Sequence, residues 1–339
     1  MREKLPVIRR RLIDVTRAVA EPPCAPPPGI ARLVERYTPS FYLDVGSECA
    51  LHCVYCCVPR GANDDEVRTE SEGSLRAALR TAGQHGLKKV ALLGGEPAQR
   101  KDFLDLCKAA RDAGFEEVIL TTKSARLADP EFVDELVRHG VTIVHLSLDA
   151  FDPELLGSII GGRRAAAALL QAFDNLLARP DIDTYLYAVL ARANLGSFDG
   201  YVRRVAELSE RHGVTVPVIL AGMKVLARAD RNENSILPRA AEAAAAAREA
   251  IALGKTLGVP IATRHLQPCL LGELRTHALE AYIRDARVDL DTAEVLPPER
   301  DEWTARVDAC GACTCATWCD GVQRRYVALA GDREFVAVR

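Results

Sequence analysis

From residue 40 onward, short aliphatic and β-branched runs alternate with stretches whose apolar positions recur at helical spacing. The runs at 41–45, 89–93, 117–121, 142–148, 184–190 and 214–220 read as strands. Between them, Leu75, Ala78, Leu79 and Ala82 share one helical face, and Phe103, Leu106, Cys107 and Ala110 share another. Leu169, Leu170, Phe173, Leu176 and Leu177 form a third, and Gly86, Gly114 and Gly140 stand where helix ends are capped. Six strand–helix repeats imply parallel strands joined by right-handed crossovers. Six units are too few for a closed eight-stranded barrel, so the pattern predicts an α/β fold with an open sheet, a partial (β/α)6 barrel. Chemistry in such sheets collects at the carboxyl ends of the strands.

The chain divides into three segments. Residues 1–39 read as an N-terminal basic helix (1–20) followed by a proline-rich linker, because residues 21–29 lack backbone donors and favour extended structure. Residues 40–235 form the core. Residues 236–339 begin with an alanine-rich helix at 238–257 and continue into a less regular region, which completes the picture as an irregular C-terminal domain.

Composition narrows the function. With 339 residues, 48% of them apolar, the chain can bury a substantial core. A net charge of −3 argues against a nucleic-acid partner recognised through a basic surface. No apolar stretch approaches the roughly 20 residues of a membrane span, and no apolar run follows the N-terminal arginines, so the expectation is a cytoplasmic protein without a membrane partner. Eleven cysteines in such a chain point to metal rather than disulfides. Cys49, Cys53 and Cys56 cluster with Cys57 beside them; Cys310, Cys313, Cys315 and Cys319 form a second group; Cys24, Cys107 and Cys269 stand apart. Cys107 reads as core.

Cys49, Cys53 and Cys56 have C-x3-C-x2-C spacing on a loop directly after the first strand. Thiolates suit iron–sulfur clusters or zinc, and three of them leave one metal position open. A structural zinc loop or an oxidisable cysteine patch is the plainer reading of the spacing alone. Gly94-Gly95-Glu96-Pro97 ends the second strand, and its glycines permit close backbone approach. Together with Tyr55 just before the last cysteine, these motifs resemble the signature of the radical S-adenosylmethionine (SAM) superfamily. The resemblance covers roughly residues 40–225.

The resemblance implies a [4Fe–4S] cluster on Cys49, Cys53 and Cys56, with the SAM amino and carboxylate groups on the open iron. It implies one-electron cleavage of SAM to methionine and a 5′-deoxyadenosyl radical that takes a substrate hydrogen, and an electron donor such as flavodoxin or ferredoxin. Gly94, Gly95, Glu96 and Pro97 would hold the methionyl amino group, with Tyr55 also at the cofactor. Ser147, in a Ser-Leu-Asp segment, resembles the serine that contacts the SAM ribose or carboxylate. Arg163 and Arg164 resemble a stretch where an arginine pairs with that carboxylate; an exposed helix start is the plainer reading of each. Lys123, in Thr121-Thr122-Lys123-Ser124, stands where the family has an asparagine, and no role is assigned to it.

Cys310, Cys313 and Cys319 resemble the start of the auxiliary-cluster pattern of the SPASM and twitch subgroups. With Cys269 as the upstream member, the resemblance implies one auxiliary [4Fe–4S] cluster on Cys269, Cys310, Cys313 and Cys319. The full pattern continues with a cysteine where Gln323 stands, which argues against a second auxiliary cluster. Cys315 is an alternative ligand, and a zinc knuckle on the same thiolates is the alternative metal. Three functions fit. The first is a radical SAM enzyme acting on a small metabolite (a sugar, nucleoside or amino acid) in natural-product biosynthesis. The second is a maturase of a ribosomally made peptide, although the segment before the first strand is shorter than a leader-recognition domain. The third is a non-catalytic iron–sulfur or zinc protein. Substrate contacts are expected among His145, Tyr185, Tyr187, Asn194, Lys224, Arg264 and His265; no general base is assigned.

Overall fold

The computed structural model describes residues 12–18, 21–37, 40–58, 67–289, 295–296 and 304–339. One sheet runs through it. Its strands are β1 (Leu12–Ala18), β2 (Ser40–Asp44), β3 (Lys89–Leu93), β4 (Glu117–Thr122), β5 (Ile143–Ser147), β6 (Asp183–Val189), β7 (Val218–Ala221), β8 (Ile261–Arg264), β9 (Ile283–Asp289) and β10 (Val295–Leu296). The order is β10-β9-β1-β2-β3-β4-β5-β6-β7-β8. β2 to β8 are parallel, and β1, β9 and β10 add an antiparallel extension at the β2 edge. Val90, Ala91 and Leu92 of β3 and Val118, Ile119 and Leu120 of β4 are all buried, as expected of parallel strands covered on both faces.

The covering helices bury the apolar faces read from the sequence. Leu75, Leu79 and Ala82 point inward from Glu72–Gln84; Phe103, Leu106, Cys107 and Ala110 do so from Phe103–Asp112; Leu169, Phe173, Leu176 and Leu177 do so from Arg163–Leu177. Side-chain caps set the starts of the helices Glu72–Gln84 and Pro153–Ile160. The Ser71 hydroxyl accepts from Ser74 N at 3.1 Å, and the Asp152 carboxylate accepts from Leu155 N at 2.7 Å, each satisfying an otherwise orphaned donor.

Four expectations require correction. Among the described residues the parallel part of the sheet has seven strands rather than six: β8 has only four residues, too few to show a period, and is held by its pairing with β7. β7 begins at Val218, because Pro217 has no N–H for the ladder and offers only its carbonyl, to Leu186 N at 2.9 Å. Within the segment read as a basic helix, residues 12–18 are a strand; residues 1–11 and 19–20 lie outside the described residues. The β-branched Ile13, Val15 and Thr16 suit a strand, and β9 supplies a partner along its whole length, with β2 on the other side. The proline-rich linker also ends early, since Pro28 opens the helix Pro28–Tyr37 from its first position, where a missing N–H costs nothing.

The carboxyl ends of β2 to β8 share one rim, where the cysteine loop, the Gly94–Pro97 turn, Lys123, Asp149 and His265 lie. The C-terminal region packs beside it as the paired strands Thr304–Ala305 and Val322–Gln323, short turns carrying the cysteines, and the helix Arg324–Ala330. Among the described residues no helix is long and apolar enough to cross a membrane. Phe173 is fully buried with its ring 5.8 Å from that of Phe151. Phe173→Ala should therefore lower unfolding stability by about 3–5 kcal/mol, measured by urea denaturation.

Candidate functional site

The loop carrying Cys49, Cys53 and Cys56 is pinned on three sides by backbone. On the first side, Gly95 N donates to Gly46 O at 2.7 Å and Glu96 N donates to Glu48 O at 2.7 Å. This approach requires the two glycines. Gly94 has φ +134°, and a Cβ on it would lie 2.4 Å from Gly46 O; one on Gly95 would lie 2.1 Å from Glu48 O. The glycines thus admit the cysteine loop itself, a closer neighbour than any ligand. On the second side, His52 N and Val54 N donate to Ile160 O and Ile159 O at 3.1 and 2.9 Å. On the third, Cys56 O accepts from Arg228 N at 3.1 Å and Val54 O accepts from the Asn232 side-chain amide at 2.9 Å, both from the helix Ala227–Ile236.

The three thiols are half-buried and form no disulfide. Burial pushes the Cys53 thiol up to about 11, against the pull of the Lys123 ammonium; the neighbouring Cys56 and Cys49 push it further up. Three thiols this close together form a donor set that a soft cation stabilises as thiolates.

Glu96 is buried and fully engaged. Its Oε1 accepts from the Thr122 hydroxyl at 2.6 Å and from Ala98 N at 3.2 Å, and its Oε2 accepts from Lys123 N at 2.7 Å. Burial raises its carboxyl above the ordinary range despite these bonds. It joins the ends of β3 and β4. Next to it, Lys123 Nζ donates to Asp149 Oδ2 at 2.8 Å and to the Tyr55 hydroxyl, and lies 4.9 Å from the centre of the Tyr55 ring. The Tyr55 hydroxyl donates to Asp149 Oδ2 at 2.5 Å. Burial pulls the Lys123 ammonium towards deprotonation, but the Asp149 carboxylate together with Cys53 and Cys56 outweighs it and the net shift is upward. Asp149 Oδ1 accepts from Val189 N at 3.0 Å, tying this group to β6.

The remaining expected residues separate. Ser147 closes β5, half-buried at the rim. Arg163 and Arg164 are exposed at the start of their helix, and Arg163 pairs with Glu154. Asn194 is not available to a substrate: it is fully buried, donating to Asp149 O and Val189 O at 3.0 Å each and accepting from Ala191 N at 2.9 Å. Tyr185 is buried with its hydroxyl near Arg36 and Asp183, at the amino end of β6 and away from the rim. Tyr187 is half-buried on β6, Lys224 is exposed near Cys57, and Arg264 and His265 lie at the end of β8. Lys123 and Asp149 are the residues that sequence reasoning left without a role. The signal was a lysine directly after a strand buried on both faces, where a cation requires a counter-ion.

Cys269, Cys310, Cys313 and Cys319 line one solvent-open cleft, and Cys315 lines it too. Cys313 Sγ accepts from Val338 N at 3.4 Å, and Cys319 Sγ accepts from Gly321 N at 3.3 Å. Burial pushes the Cys319 thiol to about 12 and the Cys315 thiol to about 11. Cys24 lies elsewhere, 3.5 Å from the Tyr282 hydroxyl, and Cys107 is core. Gln323 docks this region: its side chain donates to Met223 O at 2.6 Å and accepts from Val225 N at 2.9 Å. Arg325 pairs with Asp230 at 2.5 Å and with Glu233 at 2.9 Å on the helix Ala227–Ile236.

Residues 43–190 match the family model described as Radical SAM superfamily. A GTP 3′,8-cyclase of Cronobacter sakazakii is 28% identical over 183 residues, covering 51% of this chain and 55% of that protein. A PqqA peptide cyclase of Ruegeria pomeroyi is 30% identical over 200 residues, covering 59% of this chain and 51% of that protein. The chain spans about half the length of these curated relatives. Among solved structures, Streptococcus suis SuiB bound to S-adenosylmethionine aligns over 91% of this chain and 79% of its own, with TM-score 0.59 and 16% identity. The FeFe-hydrogenase maturase HydG from Carboxydothermus hydrogenoformans aligns over 70% of this chain and 56% of its own, with TM-score 0.51 and 14% identity. At these identities the two structures speak to the fold alone.

Gly95→Ala should displace the cysteine loop, because the atom it meets is backbone. The expected outcome is a loss of about 1–3 kcal/mol in denaturation and less iron bound per chain after reconstitution. His145 gives a pH signature. Burial, then the charge of Arg264, lowers its imidazole to about 3, so it is neutral in the folded state. Its contribution to stability is present above about pH 6.5 and is lost as pH falls towards about 3. His145→Gln should flatten the stability profile across that window.

Proposed function

We propose, on the match of residues 43–190 to the radical SAM superfamily model, that the chain is a radical SAM enzyme that reductively cleaves SAM to a 5′-deoxyadenosyl radical on a [4Fe–4S] cluster held by Cys49, Cys53 and Cys56. The observation that carries this reading is the glycine-dependent clasp between the Gly94–Pro97 turn and the cysteine loop, which presents three thiols at the rim of the parallel strands. The donor set fits the group, with three soft ligands, no disulfide and a free coordination position for SAM. When bound, the cluster and SAM supply one-electron reduction and hydrogen abstraction.

The chain's own residues supply position. Gly94 and Gly95 set the distance between turn and loop, and Glu96 fixes the turn to β4. Asp149 and Lys123 hold Tyr55, which lies between Cys53 and Cys56, so the loop is anchored from below as well. Ser147 lies where a SAM contact from β5 is available; Arg163 and Arg164, exposed at a helix start, are weaker candidates. An external one-electron donor such as flavodoxin or ferredoxin completes the requirement.

We assign the second cleft to one auxiliary [4Fe–4S] cluster on Cys269, Cys310, Cys313 and Cys319, supported by their shared lining of that cleft. Cys315 is the nearest substitute ligand. For substrate we favour a small metabolite, in line with the nucleotide named for the GTP 3′,8-cyclase relative. A peptide is the second reading, favoured by the PqqA peptide cyclase relative.

The test uses anaerobically reconstituted protein with SAM, a reductant and cell extract separated into metabolite and peptide fractions. Release of 5′-deoxyadenosine stimulated by the metabolite fraction supports the first substrate reading, and stimulation by the peptide fraction supports the second. Absence of any release, even the slow uncoupled background, overturns the proposal. Cys53→Ala should abolish release. Cys313→Ala should retain SAM cleavage while losing product and part of the bound iron; unchanged iron in that variant removes Cys313 from the auxiliary set.

A further inference from the structure

Beside the second cysteine cleft, three oxygen- and nitrogen-bearing side chains converge from separate parts of the chain. His265 directly follows β8, Glu280 sits on the turn Leu279–Ala281 before β9, and Asp320 follows Cys319. Their potential ligand atoms all lie within 4.8 Å of one another. Glu280 is 7% exposed. Its Oε1 accepts from His265 N at 2.8 Å, which fixes the carboxylate, while its buried Oε2 has no hydrogen-bond partner. Buried carboxylate oxygens are ordinarily satisfied, so one held in place and left bare is a donor aimed at something else.

We infer that His265, Glu280 and Asp320 form a binding site for a divalent cation that prefers oxygen and nitrogen ligands, of the Mn2+ class. Metal–ligand bonds of about 2.0–2.2 Å place ligand atoms about 3–4.4 Å apart, so the observed spacing closes on an ion with movements of a few tenths of an ångström. The charges agree. The Glu280 and Asp320 carboxylates come within 4.8 Å of each other and repel. A cation between them relieves that repulsion. Two carboxylates and one imidazole suit a hard or borderline ion, whereas the adjacent thiols suit a soft one, so the two neighbouring sites select different metals. The inference does not depend on the radical chemistry proposed above.

The test is Mn2+ titration of the full chain with its cysteine sites already loaded with iron and sulfide, followed by the electron paramagnetic resonance signal of free Mn2+. Mn2+ is a poor thiolate ligand partner and reports on the oxygen site. Expected are one bound Mn2+ per chain and binding weakened by about ten- to a hundredfold in both Glu280→Gln and Asp320→Asn. Should either variant fail to fold, His265→Asn replaces it, since asparagine tolerates the positive φ of +59° at that position. No binding by the wild-type chain at millimolar Mn2+, or undiminished binding in any folded variant, overturns the inference.

Discussion

The rim depends on one close backbone contact, the meeting of the Gly94–Gly95 turn with the carbonyls of Gly46 and Glu48. Every other feature of the first cysteine site adds to a loop whose path this contact has already set. A side chain at either glycine would separate β2 and β3 at their carboxyl ends, because the obstructing atoms are carbonyl oxygens of the next strand's loop. Such atoms cannot rotate aside as a side chain does. The constraint is therefore steric before it is chemical.

Behind that contact lies a buried polar group that anchors the same loop from inside. Lys123 from the end of β4, Asp149 from beyond β5 and Tyr55 from the cysteine loop share hydrogen bonds, and Asn194 satisfies the surrounding backbone. Burying a cation and an anion together is costly unless their remaining hydrogen-bonding capacity is used. Here both Asp149 oxygens and its own carbonyl are engaged. The group joins four chain segments at the position where radical chemistry would need a rigid floor.

Much of this was legible in the sequence where the controlling interactions are local. β3, β4 and β5 read correctly because strands covered on both faces are nearly continuous apolar runs. The cysteine loop and the Gly-Gly-Glu-Pro turn could be placed at strand ends because each is confined to a few consecutive residues. What escaped is non-local. β1 is a strand because β9, far along the chain, pairs with it, and its own composition suggested a helix. β8 is too short to carry a period. Lys123 looked like a departure without purpose because its partners Tyr55 and Asp149 come from other strand ends, and Asn194 looked like a substrate contact because nothing local shows that its amide is consumed by β5 and β6. Gathering Cys269 with the later cysteines likewise rested on resemblance, not on any spacing rule.

The helix Ala227–Ile236 touches both cysteine-bearing regions. Its first turn and Asn232 hold the carbonyls of Cys56 and Val54, while Asp230 and Glu233 hold Arg325, and Gln323 clasps the segment leading into it. The residue that takes the place of a further cysteine is thus a structural fastener. Opening the C-terminal region would strip hydrogen bonds and ion pairs from the helix that supports the first loop, so the order of the one region bears on the order of the other.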